Sequence, residues 1–289
     1  MKVIDLFKEK EPVISFEIFP PRFDTPLETI FDKLEQFSEL KPDYMSVTYG
    51  AGGSQQGRTV EIASKIKNEY GIECVAHFTC VGHSENEINA MLRLMLEHKL
   101  ENILALRGDP PVNQPDFDFS KNVYQYASEL IGHIKSKDNF CIAAAAYLEG
   151  HPENKTLKQD RMFLKQKVDA GADYLVTQFF FDNRLFYDFV DKIKSIEIDC
   201  PVVPGIMPIF KADQIKTMTA KSGCSLPAKL VLMMDKYSDN PDDLVKAGIE
   251  YASTQIRDLI DNGADGIHLY TMNRPKSTRE ILEQAGLMK

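Results

Sequence analysis

ECVAHFTCVGHSENEINAMLRLMLEHKLENILALRGD, residues 73–109, holds the fold in miniature. Its opening run, ECVAHFTC (73–80), is short, apolar and of strand length. Ser84 followed by Glu87 makes a helix-capping box. Ile88, Met91, Leu92, Met95 and Leu96 then share one helical stripe. A second apolar run, NILALRGD (102–109), follows, so the order is strand, helix, strand. The same rhythm extends both ways through VISFEIF (13–19), YMSVTY (44–49), FCIAAAAY (140–147), YLVTQFFF (174–181), VVPGIMP (202–208) and GIHLYTM (266–272). These runs are almost continuously hydrophobic, which fits strands buried on both faces of a parallel sheet. Eight β-then-α units in 289 residues predict an α/β fold, a single (β/α)8 TIM barrel spanning 1–289.

The intervening segments support this reading. In DTPLETIFDKLEQFSEL (24–40), Thr25 is expected to cap a helix and Pro26 to occupy its first position, with Leu27, Ile30, Phe31 and Leu34 as the apolar face. Gly171 and Gly263 are placed to end helices just before strands. Between strands seven and eight, residues 222–263 hold two helical segments instead of one, an inserted helix rather than a second domain. A doubly wound open sheet is the competing architecture. It usually carries a Gly-rich turn after its first strand, where this chain has PPRFDTP (20–26).

Composition narrows the function. With 34 Lys plus Arg against 43 Asp plus Glu, the chain carries a net charge of −9, which argues against a general nucleic-acid or membrane-surface binder. No run is apolar enough to span a bilayer. The charged start, MKVIDLFKEKEP, does not read as a signal peptide, so a cytoplasmic protein is expected. The cysteines, Cys74, Cys80, Cys141, Cys200 and Cys224, form no CxxC pair and lack metal-ligand spacing, so neither a disulfide framework nor a metal site is expected.

In a barrel the chemistry gathers at the C-terminal ends of the strands. Those ends carry Glu17, Thr48, His77, Arg107 with Asp109, Tyr147 with His151, Gln178, and Arg274 just past the last strand. Alternation puts Glu17 on one face with Ser15 and Phe19. A carboxyl in so apolar a run is costly unless protonated or paired. It is therefore either an acid–base group or half of a structural ion pair with Arg22 or Arg107. Gly108 lets the backbone turn closely around a ligand. Arg107 suits an anionic group and Asp109 suits ring N–H donors, although the two can also bridge each other. His77 reads as a hydrogen-bonded core or ligand-contact residue, with no second histidine spaced for a metal. Lys155, Asp160 and Lys167 can meet a phosphate or ribose near one helix, or belong with Lys158 and Lys165 to a solvated face. Gln178 suits a heterocycle through paired hydrogen bonds, and the phenylalanines after it suit a flat ring or simply the core. No lysine is placed for Schiff-base chemistry, and no carboxylate pair fits glycoside hydrolysis.

FEIFPPR (16–22), SVTYGAGG (46–53), AHFTC (76–80), LRGDPP (106–111), AAAYLEGHPE (144–153), KVDAGADYLVTQFFFD (167–182), PGIMPI (204–209) and YTMNR (270–274) together resemble the methylenetetrahydrofolate reductase family, in its short, catalytic-domain-only form. The resemblance runs from about residue 12 to the end of the chain. It implies a flavin-binding barrel that reduces 5,10-methylenetetrahydrofolate to 5-methyltetrahydrofolate, with NAD(P)H reducing the flavin and leaving before folate takes its place. It implies Glu17 as the general acid and Asp109 as a residue that contacts the pterin and tunes the flavin. Cofactor contacts are implied for Thr48, Tyr49, Ala51, His77, Arg107, Gly108, Asp109, Tyr126, Ala127, Tyr147, His151, Asp160 and Lys167. Substrate contacts are implied for Gln178, Gln214 and Arg274. Met218, Phe163 and Gln166 depart from the family pattern where it meets folate or nicotinamide and the distal half of the cofactor. FAD is therefore the expected cofactor with FMN as the alternative, and the electron donor is NAD(P)H or an electron-donating protein subunit. An oligomer is expected, of like or unlike chains. The competing functions are a pterin-binding methyltransferase barrel without flavin and a subunit of a larger electron-transfer complex.

Overall fold

The computed structural model describes residues 1–22, 24–49, 56–110 and 117–288. Among these residues, nine parallel strand segments form one sheet: β1 (Val13–Ile18), β2 (Tyr44–Val47), β3 (Glu73–Thr79), β4 (Asn102–Leu106), β5 (Cys141–Ala146), β6 (Tyr174–Thr177), β7 (Val202–Val203), β8 (Gly205–Ile206) and β9 (Gly266–Tyr270). β7 pairs with β6 and β8 pairs with β9, while β1 joins β9 to β2. β7 and β8 are therefore two halves of the expected seventh strand, broken at Pro204. Proline has no N–H to give the ladder. Its carbonyl still accepts from His268 N at 3.0 Å, so the ring of eight strand positions closes across the break.

Strand alternation sorts side chains into an outer and an inner set. The outer set, including Phe16, Ile18, Met45, Ala76, Phe78, Ile103 and Ile142, packs under the surrounding helices in the largest apolar cluster. The inner set at the N-terminal end is also apolar: Val13, Tyr44, Val75, Leu104, Cys141, Ala143, Tyr174, Val176 and Val203. A short helix, Val3–Glu9, which the sequence reading did not anticipate, closes this end. Val3, Ile4, Leu6 and Phe7 pack on the inner cluster, and Val3 N donates to Asn102 Oδ1 at 2.7 Å. Full burial of a side chain such as Val3 contributes roughly 1.5–3 kcal/mol, enough to hold a helix too short to persist alone.

The capping box at Ser84 and Glu87 forms as expected, with Ser84 N donating to Glu87 Oε2 at 2.8 Å. The helix after β1 differs. It begins at Glu28, with Leu27 at the N-cap, because Thr29 Oγ1 donates back to Pro26 O at 2.7 Å and the preceding turn absorbs Thr25 and Pro26. Between β8 and β9 lie three helices, Ala212–Ser222, Ala228–Lys236 and Pro241–Asp261. The last presses close to the chain after β8, since a Cβ on Gly248 would lie 2.0 Å from Ile209 O.

One local device recurs where strands start. Asp43, Asp173 and Asp265 each precede a strand, and each carboxylate accepts the N–H of a neighbouring strand's first residues: Ile14 at 2.8 Å, Ile142 at 2.7 Å and Val202 at 2.8 Å. Asp173 also holds Lys135 Nζ at 2.8 Å. Hydrogen bonds to a charged acceptor are worth about 1.5–3 kcal/mol each, more than neutral ones. Asp173→Ala is expected to lower stability by about 2–3 kcal/mol, because it leaves a strand N–H without its acceptor and Lys135 Nζ with Phe140 O in place of a carboxylate. Chemical denaturation of the two proteins measures this.

Candidate active site

The C-terminal mouth of the barrel is polar where the opposite end is apolar. On the inner face of β1 stand Ser15 and then Glu17, only 5% exposed. Neither Arg22 nor Arg107 pairs with Glu17 among the described contacts. Glu17 Oε2 instead lies 3.4 Å from His268 Nε2 and 3.4 Å from His77 Nε2. The His268 contact has hydrogen-bond geometry, whereas His77 Nε2 is buried without a hydrogen-bond partner. Burial lowers the proton affinity of His77 to about 4, with Glu17 acting in the opposite sense and His268 with it, so the ring is neutral near pH 7. Thr79 Oγ1, one inward step beyond His77, is likewise buried and unpartnered.

A second group of side chains lies past β4, β5 and the helix Leu157–Asp169. β4 ends at Leu106, so Arg107, Gly108 and Asp109 form the rim turn rather than extending the strand. Gly108 has φ +91, and a Cβ there would come within 2.5 Å of Val81 Cγ1, so only glycine fits this turn. Arg107 does not bridge to Asp109. Its guanidinium makes a two-pronged pair with Glu153, 2.7 Å on each arm, and lies 4.4 Å over the Phe119 ring. Asp109 is exposed. Tyr147 stands edge-on to His151, 4.8 Å between centroids, and burial raises its phenol above the usual range. Buried Asp160 accepts from His151 N at 3.0 Å and from Asn154 Nδ2. Lys167 Nζ donates to Ala145 O at 2.9 Å. Desolvation lowers its proton affinity to about 8, opposed by Asp160 and assisted by Arg107. Lys155 and Lys158 are exposed and Lys165 pairs with Asp169, so the charged-face reading holds for those three and not for Lys167.

A third group comes from β6 and the inserted helices. β6 ends at Thr177. Gln178 is half-buried, and its Oε1 accepts from Phe179 N at 3.0 Å. Phe179, Phe180 and Phe181 are buried in the protein, Phe179 edge-on to Tyr270 at 6.2 Å and Phe180 stacked on Phe186 at 5.9 Å. Gln214 and Met218, one turn apart on the helix Ala212–Ser222, are both half-buried. Arg274 lies 4.5 Å over the Phe210 ring.

Of the remaining expected residues, Thr48 is half-buried, and its carbonyl accepts from Thr59 Oγ1 at 3.0 Å. Tyr49 OH lies 3.3 Å from His83 Nε2. Ala127 is buried at the start of the helix Ala127–Lys137, and Tyr126, exposed, is its N-cap residue. Ala51 lies outside the described residues. Sequence reasoning missed His268, Tyr270 and Glu153. The first two were open to the alternation argument used for Glu17, since GIHLY puts Gly266, His268 and Tyr270 on one face. Among the described residues, no three His, Cys, Asp or Glu side chains gather as a metal-ligand set. All five cysteines are free thiols. No helix among the described residues is long and apolar enough to cross a membrane.

The arrangement offers a nearly dry carboxyl at the mouth of the barrel, two imidazoles beside it, of which His77 is neutral near pH 7, and cationic groups elsewhere on the rim. Comparison with known proteins gives this site a context. The family model described as methylenetetrahydrofolate reductase matches residues 2–286. The 5,10-methylenetetrahydrofolate reductase of Escherichia coli is 35% identical over 274 residues, covering 95% of this chain and 90% of its own length. Methylenetetrahydrofolate reductase (NADH) 1 of Arabidopsis thaliana is 36% identical over 304 residues and covers all of this chain, which spans 51% of the plant protein's length. Among solved structures, a Clostridium thermocellum protein that binds two copies of 5-methyl-5,6,7,8-tetrahydrofolic acid shares the fold with a TM-score of 0.64 at 14% identity, covering 97% of this chain and 96% of its own. A family match across nearly the whole chain, joined to a relative of similar length, leads to one assignment: the chain belongs to the methylenetetrahydrofolate reductase family.

Proposed function

We propose that this barrel, acting as one catalytic domain over residues 1–289, reduces 5,10-methylenetetrahydrofolate to 5-methyltetrahydrofolate with a bound flavin. The observation that carries this reading is the placement of Glu17, a nearly dry carboxyl at the centre of the mouth of a chain in this family. The residues present fit a flavin. His77 Nε2 and Thr79 Oγ1 are buried polar atoms without partners, which a ring nitrogen or carbonyl would satisfy. Arg107 and Lys167 supply positive charge suited to a phosphate-bearing tail. FAD is the preferred form and FMN the alternative. When bound, the flavin supplies the hydride.

The chain's own residues do the rest. Glu17 donates a proton to the folate nitrogen released as the five-membered ring opens. His77, neutral near pH 7, stands 3.4 Å from it. Asp109 and Gln178 hold the pterin through its ring N–H and carbonyl groups. Gln214 and Arg274 bind farther along the folate, with Met218 on the same helix face as Gln214. Thr48, Tyr49, Ala51, Tyr126, Ala127, Tyr147, His151 and Asp160 complete the cofactor cradle. Electrons come from NAD(P)H or from a partner subunit.

Glu17→Gln is expected to keep the flavin and its reduction by the electron donor while folate reduction falls by about 10²–10⁴-fold. Stopped-flow absorbance separates the two half-reactions, and full folate turnover in this variant would overturn the assignment. Lys167→Met is expected to yield a folded protein with less bound flavin per chain, read from the visible spectrum after gel filtration. A colourless wild-type preparation that transfers methyl groups would instead support a flavin-free methyltransferase.

His77 also predicts a pH effect on stability. Its folded-state proton affinity, near 4, lies below the reference value of 6.5, so between these limits the unfolded chain binds more protons. Its contribution is complete above pH 6.5 and is lost as pH falls toward 4, by at most about 3 kcal/mol. His77→Asn is expected to flatten that part of the stability–pH curve, measured by denaturation at successive pH values.

A further inference from the structure

The chain turns sharply after β9, and the turn runs against ordinary backbone preference. Met272 and Asn273 have φ of +50 and +53. Among the described residues the other non-glycine positions with positive φ are Lys41, Lys99 and Glu197. Each of these is exposed and within three residues of the end of a helix, where such a conformation is common. Asparagine visits this region readily; methionine does not. Arg274 N donates to Thr271 O at 3.0 Å, so residues 271–274 form a tight turn with both central residues left-handed. A strained pair of this kind persists only where its surroundings hold it. Met272 is held by packing against two apolar clusters, the one under the helices and the one that includes the inserted helices.

Asn273 is held by a clasp. The register of β1 on β9 ends at Glu17 and Tyr270. Beyond it, Asn273 Oδ1 accepts from Phe19 N at 3.0 Å and Asn273 Nδ2 donates to Phe19 O at 2.7 Å. The carboxamide stands in for a strand peptide and adds one rung past the end of the ladder. The backbone N of Asn273 donates to Thr271 Oγ1 at 3.2 Å. Phe19 is followed by Pro20 and Pro21, which have no N–H to offer. The clasp therefore pins this edge of the rim where the two prolines cannot.

Arg274 follows Asn273 directly and is the N-cap residue of the helix Pro275–Gln284. Its guanidinium lies 4.5 Å over the Phe210 ring, and among the described residues no carboxylate pairs with it. Arg107, by contrast, is matched by Glu153. A half-buried arginine laid over a ring, with no internal counter-ion, suits a carboxylate brought by a ligand.

We infer that Asn273 is a positioning residue for substrate binding: by clasping Phe19 it fixes the left-handed turn that sets Arg274 over Phe210, where the guanidinium receives a carboxylate of the folate's glutamate tail. Asn273 itself touches no substrate. The inference rests on the reading that Arg274 binds folate beyond its pterin.

Binding without turnover tests this. The flavin-loaded chain is held reduced with dithionite, and equilibrium dialysis compares 5-methyltetrahydrofolate with 5-methyltetrahydropteroate, the same molecule without its glutamate. Arg274→Ala is expected to weaken the first ligand about 10-fold or more and to leave the second unchanged. Asn273→Gly accepts the positive φ and removes only the clasp. It is expected to weaken the first ligand about fivefold, to leave the second unchanged, and to add nothing in the Arg274→Ala background. Asn273→Asp keeps the bond from Phe19 N and loses the one to Phe19 O. It is expected to move binding in the same direction, and it covers the case in which Asn273→Gly does not fold. A clasp that only stabilised the fold would weaken both ligands alike, or add its loss to that of Arg274→Ala. Either result overturns the role of Asn273, as does unchanged affinity in both Asn273 variants while Arg274→Ala shows its loss. If Arg274→Ala leaves both affinities unchanged, the reading of Arg274 falls and the inference with it.

Discussion

A carboxyl group withdrawn from water at the centre of a ring of strands sets the terms for the rest of this molecule. Leaving it charged and alone there would be prohibitive. The groups adjacent to it are polar and uncrowded by fixed charge: His77, desolvated out of its charged form, Ser46, and His268, 2.8 Å from Ser15 Oγ. The cations, Arg107 and Lys167, the latter with its proton affinity lowered to about 8, belong to a different stretch of the rim, where the first is matched by Glu153 and the second rests on a carbonyl. The mouth is thus divided between a nearly dry sector around Glu17 and a charged sector around Arg107 and Lys167. The inner faces of β1, β2 and β3 carry this gradient, apolar at their start and polar at their end, whereas β4, β5 and β6 stay apolar to their last inward residue.

The architecture was legible because each strand is buried on both sides and each helix on one, so hydrophobic runs and stripes alternate along the chain. The polar rim was legible for the same reason: a Glu, His or Gln at the end of an apolar run stands out. What stayed hidden depended on tertiary closure. The break of the seventh strand at Pro204 follows from a missing N–H, but its bridging by His268 needs the ring to be complete. The helix Val3–Glu9 is too short to declare itself, and only the cluster it covers gives it stability. The partner of Arg107, Glu153, lies 46 positions away and could not be read locally, and the bridge to Asp109 that the sequence leaves open does not form. His268 was overlooked among hydrophobic residues in GIHLY although strand alternation places it on the face of Glu17's neighbours.

The three helices between β8 and β9 do more than lengthen the chain. The stretch after β6, residues 179–181, is buried but belongs to no strand, so its carbonyls need acceptable partners. The insert supplies them: Cys224 Sγ reaches Phe179 O at 2.8 Å, Gln255 Nε2 reaches Phe180 O at 3.0 Å, and the Tyr251 hydroxyl reaches Phe181 O. Ser225 N also donates to Glu149 at 3.0 Å, tying the insert to the loop after β5. The position of Gln178 is thereby braced from behind by residues far along the chain, which no local reading of VTQFFFD would suggest.

The stopper formed by Val3–Glu9 has a consequence for integrity: paring it away would bare Tyr44, Val75 and Tyr174 to water at the end opposite the polar rim.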